Sequence, residues 1–154
     1  MKTNGEHRVF EFNDVRVFFK HTGHDGQVHP YNYLEWMSYA REAFFQELVP
    51  NFLELCNSDI KMVTSLVEFE LLEGAIFGDR IKLRIFAKNV KRLRFDVIFE
   101  FCNMTDGNKL IGRGRQQLTF LETSGRPTRI PEDLKRVVLE FEEKLGEKEE
   151  IADP

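Results

Sequence analysis

Cysteine is scarce in this chain: Cys56 and Cys102 are the only two, far apart and without metal-ligand spacing. That excludes a disulfide framework and a thiolate metal site, and predicts free thiols in a reducing compartment. Long apolar runs are missing as well. No stretch of eighteen apolar residues occurs, and no apolar leader-like segment opens the sequence, so a cytoplasmic protein with no membrane partner is expected. Positive charge is not in excess either. With 22 Lys and Arg against 26 Asp and Glu, the net charge of -4 argues against a nucleic-acid partner. Internal repeats and low-complexity segments are absent, apart from an acidic tail over 146–154.

Apolar residues make up 42% of the chain, and phenylalanine alone contributes 15 of them. A length of 154 residues is enough to bury the core of one domain, expected over about 8–145. Val and Phe with partial alternation over 8–20 predict a strand. From about Tyr31 to Leu48 the period becomes helical. Leu34, Ser38, Arg41, Phe45 and Leu48 form one stripe, and Tyr33, Met37, Ala40 and Phe44 an adjacent one. A face that wide predicts a helix wrapped by a sheet. After the apolar stretch PNFLELCN, strands are expected over Met62–Leu72, Ile81–Lys88, Leu93–Asn103 and Leu110–Glu122, with Gly74, Gly78-Asp79 and Asp106-Gly107 as turns. Ser124-Gly125-Arg126-Pro127 breaks the sheet, and Pro131 opens a last helix to about Leu145. The order describes an α+β protein: an antiparallel sheet, curved around one long central helix.

The densest polar chemistry lies in HTGHDGQVHPYNYLEWMSYARE, residues 21–42. His21, His24, His29 and Asp25 occupy a loop that runs into the helix N-terminus, where unpaired N–H groups and partial positive charge converge. Such a place suits a developing oxyanion. A metal site is not expected, because the histidines lack a cysteine or a helical H-x-x-x-H pair. Arg41 on the apolar helix face needs a reason, since a buried guanidinium is costly unless paired. One reading pairs it with Glu68 or Glu70; the other aims it at a thioester oxygen or a substrate carboxylate. Asp25 and His29 are each open to a bland reading, Asp25-Gly26 as a turn pair and His29 as a helix cap. Lys88, Lys91, Arg92 and Arg94 cluster at one turn, either simply solvated or facing an anion.

The element order, with Gly26, Val28 and Tyr33 placed as in a D-x-x-G-x-V-x-x-x-x-Y segment before the helix, resembles the hotdog fold of the 4-hydroxybenzoyl-CoA thioesterase type. NYLEWMSYARE at 32–42, TSLVEFELLEGAIFGDRI at 64–81 and GRGRQQ at 112–117 are similar to the thioesterases associated with enediyne polyketide synthases. The likeness spans roughly residues 15–134. It implies a substrate-binding loop including Gly23, Gly26, Val28 and Tyr31, and catalytic roles for Tyr33, Arg41 and Thr64. Gly23 stands where the aspartate-type enzymes carry their acid and the enediyne type carries asparagine. Asp25 and His29 are the candidates to replace that acid. Pro30 has no N–H, so an oxyanion donor must shift to the Tyr31 amide or another group of the turn.

The resemblance implies hydrolysis of an acyl-CoA or acyl-carrier-protein thioester to the free acid. No cofactor is expected beyond the coenzyme A or phosphopantetheine of the substrate, with Lys91 and Arg92 near its phosphates or near an acidic carrier. Two alternatives stay open: an acyl-thioester binding protein without turnover, and a hydratase or dehydratase using His29 and Asp25. Exposed sheet edges predict a homodimer or homotetramer, with sites shared between subunits.

Overall fold

A computed structural model of the chain describes residues 7–144. The acidic segment 146–154 lies outside the described residues. Strands β1 (Phe10–Arg16), β2 (Ile60–Leu71), β3 (Arg80–Lys88), β4 (Arg94–Asn103) and β5 (Lys109–Glu122) form one antiparallel sheet in the order β1-β3-β4-β5-β2. Helices α1 (Pro30–Leu48), α2 (Phe52–Cys56) and α3 (Glu132–Glu140) complete the α+β plan.

Alternation decides which face of the sheet is covered. Ile81, Leu83 and Ile85 of β3, and Phe95, Val97, Phe99 and Phe101 of β4, are fully buried on the face toward α1. On β5 that face carries Gly112, Gly114, Gln116, Leu118 and Phe120, in register with the β4 phenylalanines. Gly114 makes room for the helix. A β-carbon there would stand 2.6 Å from the Sδ and Cε atoms of Met37. Because α1 touches β1 and β2, the two opposite edges, as well as the inner strand β3, the sheet curls around it.

Pro30 starts α1 at a position where its missing N–H costs nothing, and His29 caps it by accepting the Tyr31 N–H at Nδ1. The buried side of the helix is not centred where the sequence pattern puts it. Tyr33, Met37, Ala40 and Phe44 are buried as expected, but Asn32 and Trp36 join them. On the other stripe Leu34 is exposed and Ser38 and Leu48 are half-buried, leaving Phe45 as its one fully buried member. Helical periodicity finds the helix; the phase of its buried side is set by where the sheet edges fall.

Two boundaries differ from expectation. The first strand ends at Arg16 rather than near residue 20, because Phe19–His21 tightens into a 3-10 turn. The last helix ends at Glu140, since the Phe141 carbonyl accepts the Ala87 N–H and ties the chain back to β3.

Strand β2 is an edge, and its side chains show it. Val63, Val67 and Leu71 remain 36–45% exposed although all three are large and apolar. A bulge at Ser65, between Thr64 and Leu66, turns Thr64 and Val67 to the same side as Leu118 and Gln116 of β5.

Candidate active site

Arg41 projects from the middle of α1 over the β2–β5 end of the sheet. Its Nη1 donates to the Thr64 Oγ1 and to the Gln116 Oε1, each at 2.9 Å. The side chain is 12% exposed, and burial pushes its guanidinium below the ordinary arginine value, the Glu42 carboxylate acting in the opposite direction. The pairing with Glu68 or Glu70 considered from sequence does not occur. Glu68 forms a two-pronged bond with Arg115, and Glu70 lies beside Arg113. The carboxylate near Arg41 is Glu42, 3.8 Å from Nη2 and half exposed. Both close partners are neutral, and Nε has no partner among the described residues. The cation is therefore held in place with little of its charge cancelled.

Beside it opens a cavity of about 250 Å³, lined by Phe52, Leu55, Ile60, Met62 and Phe120, with Cys56, Glu42 and Lys61 at its margin. Its walls come from α1, α2, β2 and β5. An apolar chamber with one convergent cation suits an apolar group attached to a polarised or anionic head. The Cys56 thiol is held above its ordinary range by burial, so it is not primed as a nucleophile.

The loop before α1 is a compact hairpin. Thr22 pairs with Val28, Gln27 pairs with Ile76, and the Val28 N–H donates to the Ala75 carbonyl. Gly26 adopts φ +78, which a side chain would strain. The Asp25 Oδ1 accepts the Gln27 N–H at 3.0 Å. Val28 is buried; Gly23, Asp25, His29 and Tyr31 are exposed, with the His29 and Tyr31 rings 4.4 Å apart. The backbone N–H groups of Gly26, Gln27, Val28, His29, Tyr31 and Asn32 all have acceptors within the fold. The Tyr31 amide, expected as an oxyanion donor, is directed at His29 Nδ1 at 3.4 Å, so in this conformation it is engaged.

These two sets of residues do not meet within the chain. Arg41 lies eleven residues beyond Pro30, about 16 Å along the helix axis at 1.5 Å per residue. Tyr33 lies in the core, on the buried stripe where the helical period puts it. It is fully buried, its ring stacks on Phe69 at 4.8 Å, and its hydroxyl accepts the Ala75 N–H at 3.1 Å. Burial raises its pKa above the ordinary tyrosine value. It is a core group tying α1 to the 72–79 loop, not a group lining the Arg41 cavity.

Lys91 and Arg92 are exposed on the β3–β4 turn, which shares an end of the sheet with the start of β2 and the end of β5. Ile60, Lys61, Met62 and Phe120, which line the cavity, lie toward that end. Among the described residues no three His, Cys, Asp or Glu side chains converge as a metal site, and no helix is long and apolar enough to cross a membrane.

The family model described as "Thioesterase-like superfamily" matches residues 8–138. The chain belongs to that superfamily. Among solved structures, this thioesterase-like chain is similar to the dynemicin thioesterase described with bound polyene, at 20% identity and a TM-score of 0.80, with 92% of this chain and 100% of that one covered. A 1,4-dihydroxy-2-naphthoyl-CoA thioesterase from Synechocystis follows at 14% identity and TM-score 0.76, covering 87% and 98%. A Staphylococcus aureus protein solved in complex with CoA gives 13% identity and TM-score 0.79, covering 97% and 95%. These likenesses establish the hotdog fold. A comparison with curated protein sequences finds no match.

One member of this candidate site is not singled out in the sequence. Gln116 reads as an ordinary polar strand residue, yet it is 2% exposed and bonded to Arg41. The signal was available in the period of two: counting back from Phe120 and Leu118 puts residue 116 on the core face.

Proposed function

We propose that the protein hydrolyses an acyl thioester, carried on coenzyme A or on an acyl carrier protein, to the free acid. The observation that carries this reading is the Arg41 guanidinium, held only by neutral side chains at close range and set beside an apolar cavity. The acyl chain enters the cavity between α2 and β2, and the thioester carbonyl meets Arg41 and Thr64. Water adds to the carbonyl carbon, Arg41 stabilises the oxyanion, and the carbon–sulfur bond breaks as the thiolate takes up a proton. Lys61, Lys91 and Arg92 at the same end of the sheet fit the phosphates of the carrier group.

Water activation falls to Asp25. Its Oδ1 lies 3.7 Å from where a β-carbon on Gly23 would stand, so a carboxylate oxygen occupies the neighbourhood of the vacant acid. It takes the proton of the attacking water and returns it to the leaving thiolate. Because one protomer separates Asp25 from Arg41, the complete site is shared: the loop of one subunit faces Arg41 and Thr64 of its partner. The exposed apolar edge of β2 supports that assembly, since two such edges paired about a two-fold axis near Ser65 set α1 of one subunit antiparallel to that of the other.

The decisive experiment incubates the pure protein with a panel of acyl-CoA and carrier-bound thioesters and follows thiol release. Turnover that is abolished in Arg41→Ala, with the fold intact, is the expected result. A second reading, tight acyl-thioester binding without turnover, is favoured by the engaged amides of residues 26–32 and by Pro30, which leave the loop short of oxyanion donors. Calorimetric binding of acyl-CoA with no thiol release from any substrate would establish that reading instead.

A further inference from the structure

Gln116 is a polar side chain on a face of β5 whose other members are glycines, Leu118 and Phe120. A fully apolar residue would pack there without a desolvation penalty, so the amide requires a use. Its Oε1 accepts from the Arg41 Nη1 at 2.9 Å, while its Nε2 is turned toward the Ser38 Oγ at 3.4 Å. This orientation is fixed by chemistry: turned the other way, the NH2 would oppose a guanidinium that can only donate.

The choice of an amide over a carboxylate decides the electrostatics. A glutamate at 116 would accept the same bond and form a buried ion pair, cancelling the charge of Arg41. An apolar residue would leave the charge intact but the guanidinium unaimed. Glutamine alone does both jobs, and the remaining neighbours do not undo it. Thr64 is neutral, Glu42 is half exposed at 3.8 Å, and Lys61 adds positive charge to the cavity margin.

We propose that Gln116 is a positioning residue that aims Arg41 without neutralising it, so that the cavity beside it binds a carboxylate. The natural occupant is the free acid released by hydrolysis, held with its carboxylate on Arg41 and its apolar chain against Phe52, Leu55 and Met62. The enzyme is then inhibited by its own product. This inference rests on the thioesterase reading for the identity of the acid, but not for the existence of the anion site.

The test uses sodium hexanoate as the probe, titrated calorimetrically into the full chain, alongside thioester turnover. Wild type binds hexanoate; Gln116→Glu, with an unchanged thermal midpoint, loses that binding and loses turnover on the order of 10²-fold, the usual effect of removing one transition-state donor. Gln116→Met keeps the charge and loses only its aim, so hexanoate binding weakens without vanishing and turnover falls less than in Gln116→Glu. A purely structural glutamine predicts the reverse order, with Met, the variant that strips the hydrogen bonds, the more damaged. No hexanoate binding by wild type, or equal binding by wild type and Gln116→Glu, overturns the proposal. Should Gln116→Glu fail to fold, binding by Gln116→Met equal to wild type overturns it as well. Absence of thioester turnover in every protein, with the binding differences intact, would reject the hydrolase reading and leave the anion site standing.

Discussion

Asp25 and Gly23 are two residues apart in a tight hairpin, and the Asp25 Oδ1 stands 3.7 Å from where a β-carbon on Gly23 would be. That is ordinary van der Waals contact, and Gly23 does not carry the left-handed φ that makes Gly26 irreplaceable. The loop therefore accepts a β-carbon at position 23 without a clash.

From this follows a rescue experiment. Asp25→Asn preserves the bond to the Gln27 N–H but removes the proposed base, and is expected to lower thioester turnover by about 10²-fold or more. Adding Gly23→Asp to that variant restores a carboxylate nearby and recovers most of the loss, at a stability cost within about 0.5 kcal/mol. Turnover unaffected by Asp25→Asn would show that Asp25 has no part in the reaction.

Tyr33→Phe leaves the buried Ala75 N–H without an acceptor. The expected cost is about 1–3 kcal/mol, read as a lower thermal midpoint with turnover per folded molecule unchanged. A large drop in turnover without a drop in melting temperature would return the tyrosine hydroxyl to the reaction.

Val67→Lys places a charge on the exposed edge of β2 facing α1. Sedimentation is expected to show the wild type as a dimer or larger and the variant shifted to monomer, with turnover lost because the proposed site needs two subunits. A monomeric variant of full activity would place the whole site within one chain.

His21 provides a pH signal. Its Nδ1 accepts the Phe18 N–H at 2.9 Å, which demands the neutral ring, and burial with Lys20 nearby lowers its pKa below the ordinary 6.5. Protonation is thus less favourable in the folded state than in the unfolded one. The contribution of His21 to stability is complete above pH 6.5 and declines as pH falls from there to the lower folded value. Its ring lies edge-on to Trp36, the one tryptophan, at 5.2 Å. Tryptophan emission is expected to titrate with a midpoint below 6.5, and to lose that transition in His21→Gln. A midpoint at or above 6.5 would mean the ring is not held neutral.

The sheet was largely legible because its strands alternate and their turns carry Gly or Asn, the residues found with positive φ at Asn89, Gly107 and Asn108. Arg41 was legible as an anomaly, a charge on an apolar stripe. Thr64 entered only through the resemblance, because the bulge after it in β2 sets which way it points and no local pattern announces a bulge, while the inward face of Gln116 follows from the period of two but its meeting with Arg41 does not. The distance between Arg41 and the loop was equally hidden in a sequence that sets Asp25 sixteen residues before Arg41, although helical rise alone separates them once α1 is known to be unbroken.

Helix α2 forms one wall of the cavity yet contributes only Phe52 to the buried core; Leu53 is 65% exposed, and Cys56 is free. Substitutions at Leu55 or Cys56 resize the chamber while sparing the packing of α1 on the sheet. Under the proposed reading, the residues that set acyl-chain length are then not those that fold the protein, so substrate preference can change without the core being rebuilt.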